Sequence, residues 1–287
     1  GLSQEFGRER ALRMVRAALD IIRAKVRNAS DQGIDTSRDA LRDSVLAEVA
    51  AMAELERLSG VRRVINATGV VIHTNLGRAP FSAKAIEAMT AAAGYSTIEY
   101  DLANGKRGPR GARVLSSIMM LTGAEAALVV NNCAAAAYLI LSAFARGCEV
   151  VVSRGELVEI GGDFRIPDVL ERSGAVLREV GTTNRTHLRD YAEAINEKTA
   201  VLLKVHPSNF RISGFTAAPE TSELAALARE RGVIFFEDAG SGAIEDLSGL
   251  GVRNEPVIRD VVAAGADLVS FSGDKLLGGP QSGIIVG

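Results

Sequence analysis

From residue 64 onward, short and nearly continuous apolar runs alternate with stretches of helical character, and this alternation constrains the fold more than any other feature. The runs lie at 127–130, 149–152, 175–180, 200–205, 233–237 and 268–271. Strands that are apolar on both sides must be covered on both sides, which calls for a mostly parallel sheet between helical layers. The expected class is therefore α/β. At 287 residues, the chain is long enough for one large domain with a small appendage.

The appendage is expected at residues 1–60, ahead of a large domain at 61–287. Leu12, Val15, Leu19, Ile22 and Val26 recur at three- and four-residue spacing, the repeat of one helical stripe. Arg13, Arg16, Arg23, Lys25 and Arg27 lie beside it. A second helix is expected to start at Thr36 with Asp39 as its capping-box partner, to turn Leu41, Val45, Val49 and Met52 inward, and to end near Gly60.

The 33 basic residues nearly balance 35 acidic ones, so any site for a polyanion has to be local. Two cysteines, Cys133 and Cys148, make neither a disulfide framework nor a metal or redox spacing. No apolar stretch has the length and continuity of a bilayer span, and no charged segment followed by an apolar one opens the chain. These features read as a soluble cytoplasmic protein without a membrane partner. The chain starts on Gly1 and stops at Gly287 directly after the apolar run 283–286, which reads as a fragment.

In open α/β sheets, ligands bind beyond the carboxyl ends of the strands. Here those positions are polar. The run at 233–236 leads into Glu237, Asp238, Ala239 and Gly240; the run at 268–271 leads into Ser272, Gly273, Asp274 and Lys275; and the run at 127–130 leads through Asn131 and Asn132 to Cys133 and an alanine-rich helix. A phosphate-binding G-x-x-x-x-G-K-[ST] is absent, because Gly105-Lys106 is followed by Arg107. No H-E-x-x-H or G-x-S-x-G occurs, and His73, His187 and His206 share no metal-ligand spacing, which favours surface or hydrogen-bonded histidines.

What remains is an acid, a lysine and a helix N-terminus at three strand ends, the parts a pyridoxal phosphate site needs. A lysine amine forms the Schiff base, a carboxylate keeps the pyridine nitrogen protonated, and helix N–H groups hold the phosphate. Lys275 is the lysine that follows a strand in a glycine-rich turn, with Gly278 and Gly279 close behind; it also reads as a solvated turn lysine. Asp238 is costly to bury without a cation or donors, and alternatively reads as a cap for the next segment. Asn132 and Cys133 open the helix as phosphate donors, unless Asn131 is the cap and Cys133 only packs.

These residues stand within longer stretches. Residues 64–69 (Val-Ile-Asn-Ala-Thr-Gly), 72–78 (Ile-His-Thr-Asn-Leu-Gly-Arg) and 272–281, together with 105–111, 155–162, 180–186 and 206–215, resemble the bacterial selenocysteine synthases, the L-seryl-tRNA(Sec) selenium transferases. The resemblance implies the large domain of a fold-type I pyridoxal-phosphate enzyme with a small N-terminal helical domain that contacts tRNA. It implies Lys275 as the cofactor's lysine and Asp238 as the partner of its ring nitrogen; Asn132, Cys133, Ser272 and His206 are the further candidate cofactor contacts. Arg78, Arg107 and Arg110, with Lys106, become candidates for the selenium donor or the tRNA backbone, since guanidinium groups match phosphate bidentately.

The activity so implied is conversion of seryl-tRNA(Sec) to selenocysteinyl-tRNA(Sec) through a dehydroalanyl intermediate, with selenophosphate as donor. The implied assembly is a homo-oligomer, a ring of dimers. Measured against the family, the chain reads as lacking the start of the N-terminal domain and the C-terminal small domain. Two other readings are a related lyase acting on a small amino acid or sugar acid, and a non-catalytic tRNA-binding scaffold. A basic-sided helical appendage suits tRNA better than a small molecule.

Overall fold

The computed structural model describes residues 1–28, 35–160 and 164–287, which form two compact units, Gly1–Ile65 and Asn66–Gly287. Gly161 and Gly162, which end the stretch 155–162, lie outside the described residues. Among the described residues, no helix is long and apolar enough to cross a membrane.

The first unit contains helices α1 (Leu2–Phe6), α2 (Arg8–Asn28) and α3 (Arg38–Ser59). The buried stripe of α2 is Ala11, Met14 and Ala18, while Leu12 and Val15 are exposed. The expected stripe is thus rotated, because α2 and α3 meet through small side chains: Ala53 of α3 is buried beside Val49. The cap of α3 is Ser37, not Thr36; its hydroxyl accepts from the Ala40 N–H. Arg57 of α3 pairs with Glu5 of α1 at 2.7 Å, an exposed contact of small energetic weight.

The second unit carries a seven-stranded sheet. Its strands are β1 (Ala127–Val130), β2 (Glu149–Ser153), β3 (Val176–Val180), β4 (Thr199–Val205), β5 (Ile234–Gly240), β6 (Leu268–Ser272) and β7 (Gly283–Val286). The spatial order is β1-β7-β6-β5-β4-β2-β3. β7 runs antiparallel to both β6 and β1, and the other strands run parallel to one another. Sequence reading places no strand at 283–286, yet this short run fills the gap between β6 and β1.

Alternate residues along each strand feed separate cores, as the two-residue period requires. Val151, Leu202, Phe235 and Ile284 point to a layer containing α5 (Ala112–Thr122), α8 (Leu188–Ala194), α9 (Thr221–Arg231) and α10 (Ile258–Ala263). Val150, Val152, Leu203, Phe236 and Ile285 point to α6 (Cys133–Phe144) and α7 (Ile166–Ser173) on the other face. One further helix, α4 (Ala83–Ala92), and a short ribbon pairing Tyr100–Asp101 with Lys106–Arg107 precede the sheet. The observed architecture is the mostly parallel, two-faced α/β fold expected from the sequence.

The parallel strands all end on one edge. That edge therefore receives His206 after β4, Asp238 near the end of β5, Lys275 after β6, and the start of α6 after β1.

Candidate active site

Asp238 lies within β5 rather than beyond it, because β5 continues to Gly240 through a register irregularity against Ser270 and Phe271 of β6. It caps nothing. Only 4% exposed, its Oδ1 accepts from Ser270 Oγ at 2.8 Å and from Cys133 Sγ at 3.4 Å. Burial pushes the carboxyl above its ordinary value, while the Ser270 and Cys133 hydrogen bonds and the Lys275 charge pull it back. No ion pair reaches Asp238 among the described residues. A buried acid that meets only neutral donors is a place prepared for a cation.

Lys275 stands in a turn fastened to the end of β5. The Leu276 N–H donates to the Ser241 carbonyl at 2.9 Å, and the Gly278 N–H to the Lys275 carbonyl at 3.0 Å. A methyl group on Gly240 would lie 3.9 Å from Lys275 Nζ, which places the amine against the backbone two residues after Asp238. Among the described residues the amine makes no hydrogen bond or ion pair.

The third part is the N-terminus of α6. Asn132, not Asn131, is the cap: its Oδ1 accepts from the Ala135 N–H at 2.8 Å. The N–H groups of Cys133 and Ala134 are left without a protein partner among the described residues, as first-turn donors are when nothing binds them. Gly283 makes this possible, since a methyl group there would overlap the Asn132 carbonyl oxygen. The Cys133 thiol is held protonated, its acidity suppressed by burial and then by the Asp238 charge, so it serves as a donor.

Ser272, buried at the end of β6, pairs in register with Gly283. The backbone N–H of His206 donates to the Asp238 carbonyl at 3.0 Å, and its side chain borders a cavity of about 920 Å³ that neither Asp238 nor Lys275 lines. Glu156 and Glu237 also border it. Burial pushes the Glu156 carboxyl up to about 7 and raises that of Glu237, which hydrogen-bonds Thr221 at 2.8 Å.

Each candidate arginine has a partner. Arg78 adopts a left-handed backbone (φ 60°), which is strained for a residue with a side chain, and pairs with Asp274, next to Lys275, at 3.2 Å. Arg107 and Arg110 both pair with Glu99 and are highly exposed, so they form a surface cluster. Lys106 makes no ion pair among the described residues. Sequence reading missed Ser270, although hydroxyls two apart in an apolar strand, Ser270 and Ser272, are the signal of a polar spot on one strand face.

The three parts fit pyridoxal phosphate: a free amine for its carbonyl, a buried acid for its ring nitrogen and open helix N–H groups for its phosphate.

The pattern of the L-seryl-tRNA selenium transferase family matches residues 64–287. The chain is 54% identical over 287 residues to the L-seryl-tRNA(Sec) selenium transferase of Geobacter sulfurreducens, covering 100% of this chain and 61% of that protein. It is 53% identical over 287 residues to that of Hyphomonas neptunium, again covering 100% of this chain and 61% of the relative. The chain thus spans about 61% of the length of these curated relatives. Among solved structures, D-glucosaminate-6-phosphate ammonia-lyase superposes with a TM-score of 0.62 at 24% identity, over 81% of this chain and 60% of that one. A SepCysS complex with the SepCysE N-terminal domain gives 0.55 at 15% identity, over 81% and 59%. These two likenesses concern the fold.

Proposed function

This chain belongs to the L-seryl-tRNA selenium transferase family, and we propose that it converts seryl-tRNA(Sec) to selenocysteinyl-tRNA(Sec), with pyridoxal phosphate as cofactor and selenophosphate as selenium donor. One observation carries the reading: a free lysine amine, a buried acid without a counter-ion and an uncapped pair of helix N–H groups meet at one sheet edge.

In this reading Lys275, Asp238 and the first turn of α6 hold the cofactor, with Ser272 and His206 at its margin. Pyridoxal phosphate, when bound, supplies an electron-accepting ring that makes the seryl Cα hydrogen acidic. Asp238 keeps a negative charge against the ring nitrogen, and Ser270 and Cys133 hold that carboxylate in place. The Lys275 amine takes the Cα proton. The seryl hydroxyl would then depart with a proton as water to leave a dehydroalanyl group; selenium of selenophosphate would add to its Cβ as Cα regains a proton, and water would cleave the Se–P bond to release phosphate.

Arg78 is the cation best placed for a phosphate-bearing donor, because its partner Asp274 adjoins Lys275. Arg107, Arg110 and Lys106 form an exposed basic surface suited to a polyanion. In the first unit, Arg13 and Arg16 of α2 are exposed and make no ion pair among the described residues, which supports a tRNA-contacting role for residues 1–60. Leu128 and Val129 on the edge strand β1, with Val114 and Met120 on α5, leave apolar surface exposed, which supports a homo-oligomer.

The test is direct: protein, pyridoxal phosphate, seryl-tRNA(Sec) and selenophosphate are combined and the aminoacyl group analysed. Selenocysteinyl-tRNA(Sec) is the expected product. Unchanged seryl-tRNA(Sec) with the cofactor bound would overturn the reading.

A further inference from the structure

Glu255 comes from the segment between β5 and α10, and His206 from the end of β4, yet their polar tips face each other. His206 Nε2 lies 3.2 Å from Glu255 Oε2. Both atoms are closed off from solvent, and neither makes a well-aligned hydrogen bond among the described residues. Buried polar atoms left alone are costly, so each serves as the other's counterpart.

The pair is tied to the site on two sides. The backbone N–H of His206 donates to the carbonyl of Asp238 at 3.0 Å, and Ser241, whose carbonyl holds the Lys275 turn, lies beside the Glu255 carboxylate. Burial works to raise the Glu255 carboxyl, but the polar groups of His206 and Ser241 beside it, with the charges of His206 and Lys275, bring it below its ordinary value. Glu255 is therefore an anion within electrostatic reach of both His206 and Lys275. It is half-buried with its Oε2 closed off from solvent, and it is not used by the chemistry described above.

We propose that Glu255 is a positioning residue that acts through His206. By accepting from Nε2, it fixes the tautomer and orientation of the imidazole, as a carboxylate behind a histidine does in metal and catalytic sites. Nδ1 is then left as the ring's remaining nitrogen for whatever the site binds. The inference rests on the pyridoxal phosphate reading for the identity of that ligand, but not for the pair itself.

Three histidines make the test simple, because His206→Gln identifies its signals by loss. In protein labelled with ¹⁵N-histidine and free of cofactor, His206 is expected as a single Nε2–H tautomer that reacts slowly with diethyl pyrocarbonate. Glu255→Ala should mix the tautomers and speed the reaction about tenfold. Glu255→Gln keeps an acceptor oxygen and should restore the wild-type signal, which guards against a folding defect. With pyridoxal phosphate added, the visible band should report about tenfold weaker binding in Glu255→Ala and in His206→Gln, and no further loss in the double variant. Unchanged His206 signals in Glu255→Ala, or losses that multiply in the double variant, would overturn the proposal. Should the wild type bind no pyridoxal phosphate while the His206 signals change as expected, the pair stands and the cofactor reading fails.

Discussion

Ser270 Oγ donates to Asp238 Oδ1 across 2.8 Å between the neighbouring strands β6 and β5, so the acid is aimed by the same strand whose end carries Lys275. Aim and charge can be separated. Asp238→Asn retains an oxygen that accepts from Ser270 but can no longer favour a protonated ring nitrogen. The variant is expected to bind pyridoxal phosphate and show its colour, while exchange of the seryl Cα hydrogen with solvent deuterium slows by about 10²–10³. Wild-type exchange would remove Asp238 from the mechanism.

Gly283 supports the phosphate end of the site. Its place beside the Asn132 carbonyl leaves no room for a side chain, so Gly283→Ala must push β7 away from the start of α6. Overpacking of this kind costs about 1–3 kcal/mol. A lower Tm together with weaker pyridoxal phosphate binding is expected, whereas an unchanged affinity would place the phosphate elsewhere.

Stability without cofactor should fall as pH rises. Burial pushes the Glu156 carboxyl up to about 7 from an ordinary 4.5, so the folded protein holds its proton longer than the unfolded chain. The stabilisation is complete below the unfolded value and is lost as pH climbs through the folded one, at up to about 1.4 kcal/mol per pH unit. Asp238 and Glu237, also raised by burial, act in the same direction. Thermal melts from pH 4.5 to 8 should show this decline, and Glu156→Gln, which can still accept from the Val205 N–H, should flatten it. Equal slopes in both proteins would show that Glu156 titrates normally.

Arg13 and Arg16 test the RNA role of α2. Replacing both with alanine should weaken tRNA binding and lower the dependence of log affinity on log salt by about 1 for each phosphate that no longer meets an arginine. An unchanged salt slope would move the RNA surface to the second unit, where Lys106, Arg107 and Arg110 are the candidates.

The legible parts of the fold are those governed by local pattern. Runs such as Val150-Val151-Val152 announce a strand because every residue is apolar and both sheet faces must be covered. β7 is illegible, since four apolar residues carry no period of their own and its place is set by β6 and β1 on either side. The stripe of α2 is misplaced when leucine and valine outweigh Ala11 and Ala18, whereas close helix packing selects the small residues. In the site, Asp238, Lys275 and Asn132 stand out because each follows a strand run. Glu255 and Gly283 do not, because one matters through a histidine on another strand and the other through a backbone atom it must not touch.

The central claim is that Lys275 carries the cofactor, and one measurement addresses it. Protein incubated with pyridoxal phosphate is reduced with borohydride, digested, and searched for the added pyridoxyl mass. The mass is expected on the peptide containing Lys275, with both the mass and the visible band lost in Lys275→Ala. Labelling at Lys204 or Lys106 with Lys275 unmodified would contradict the account.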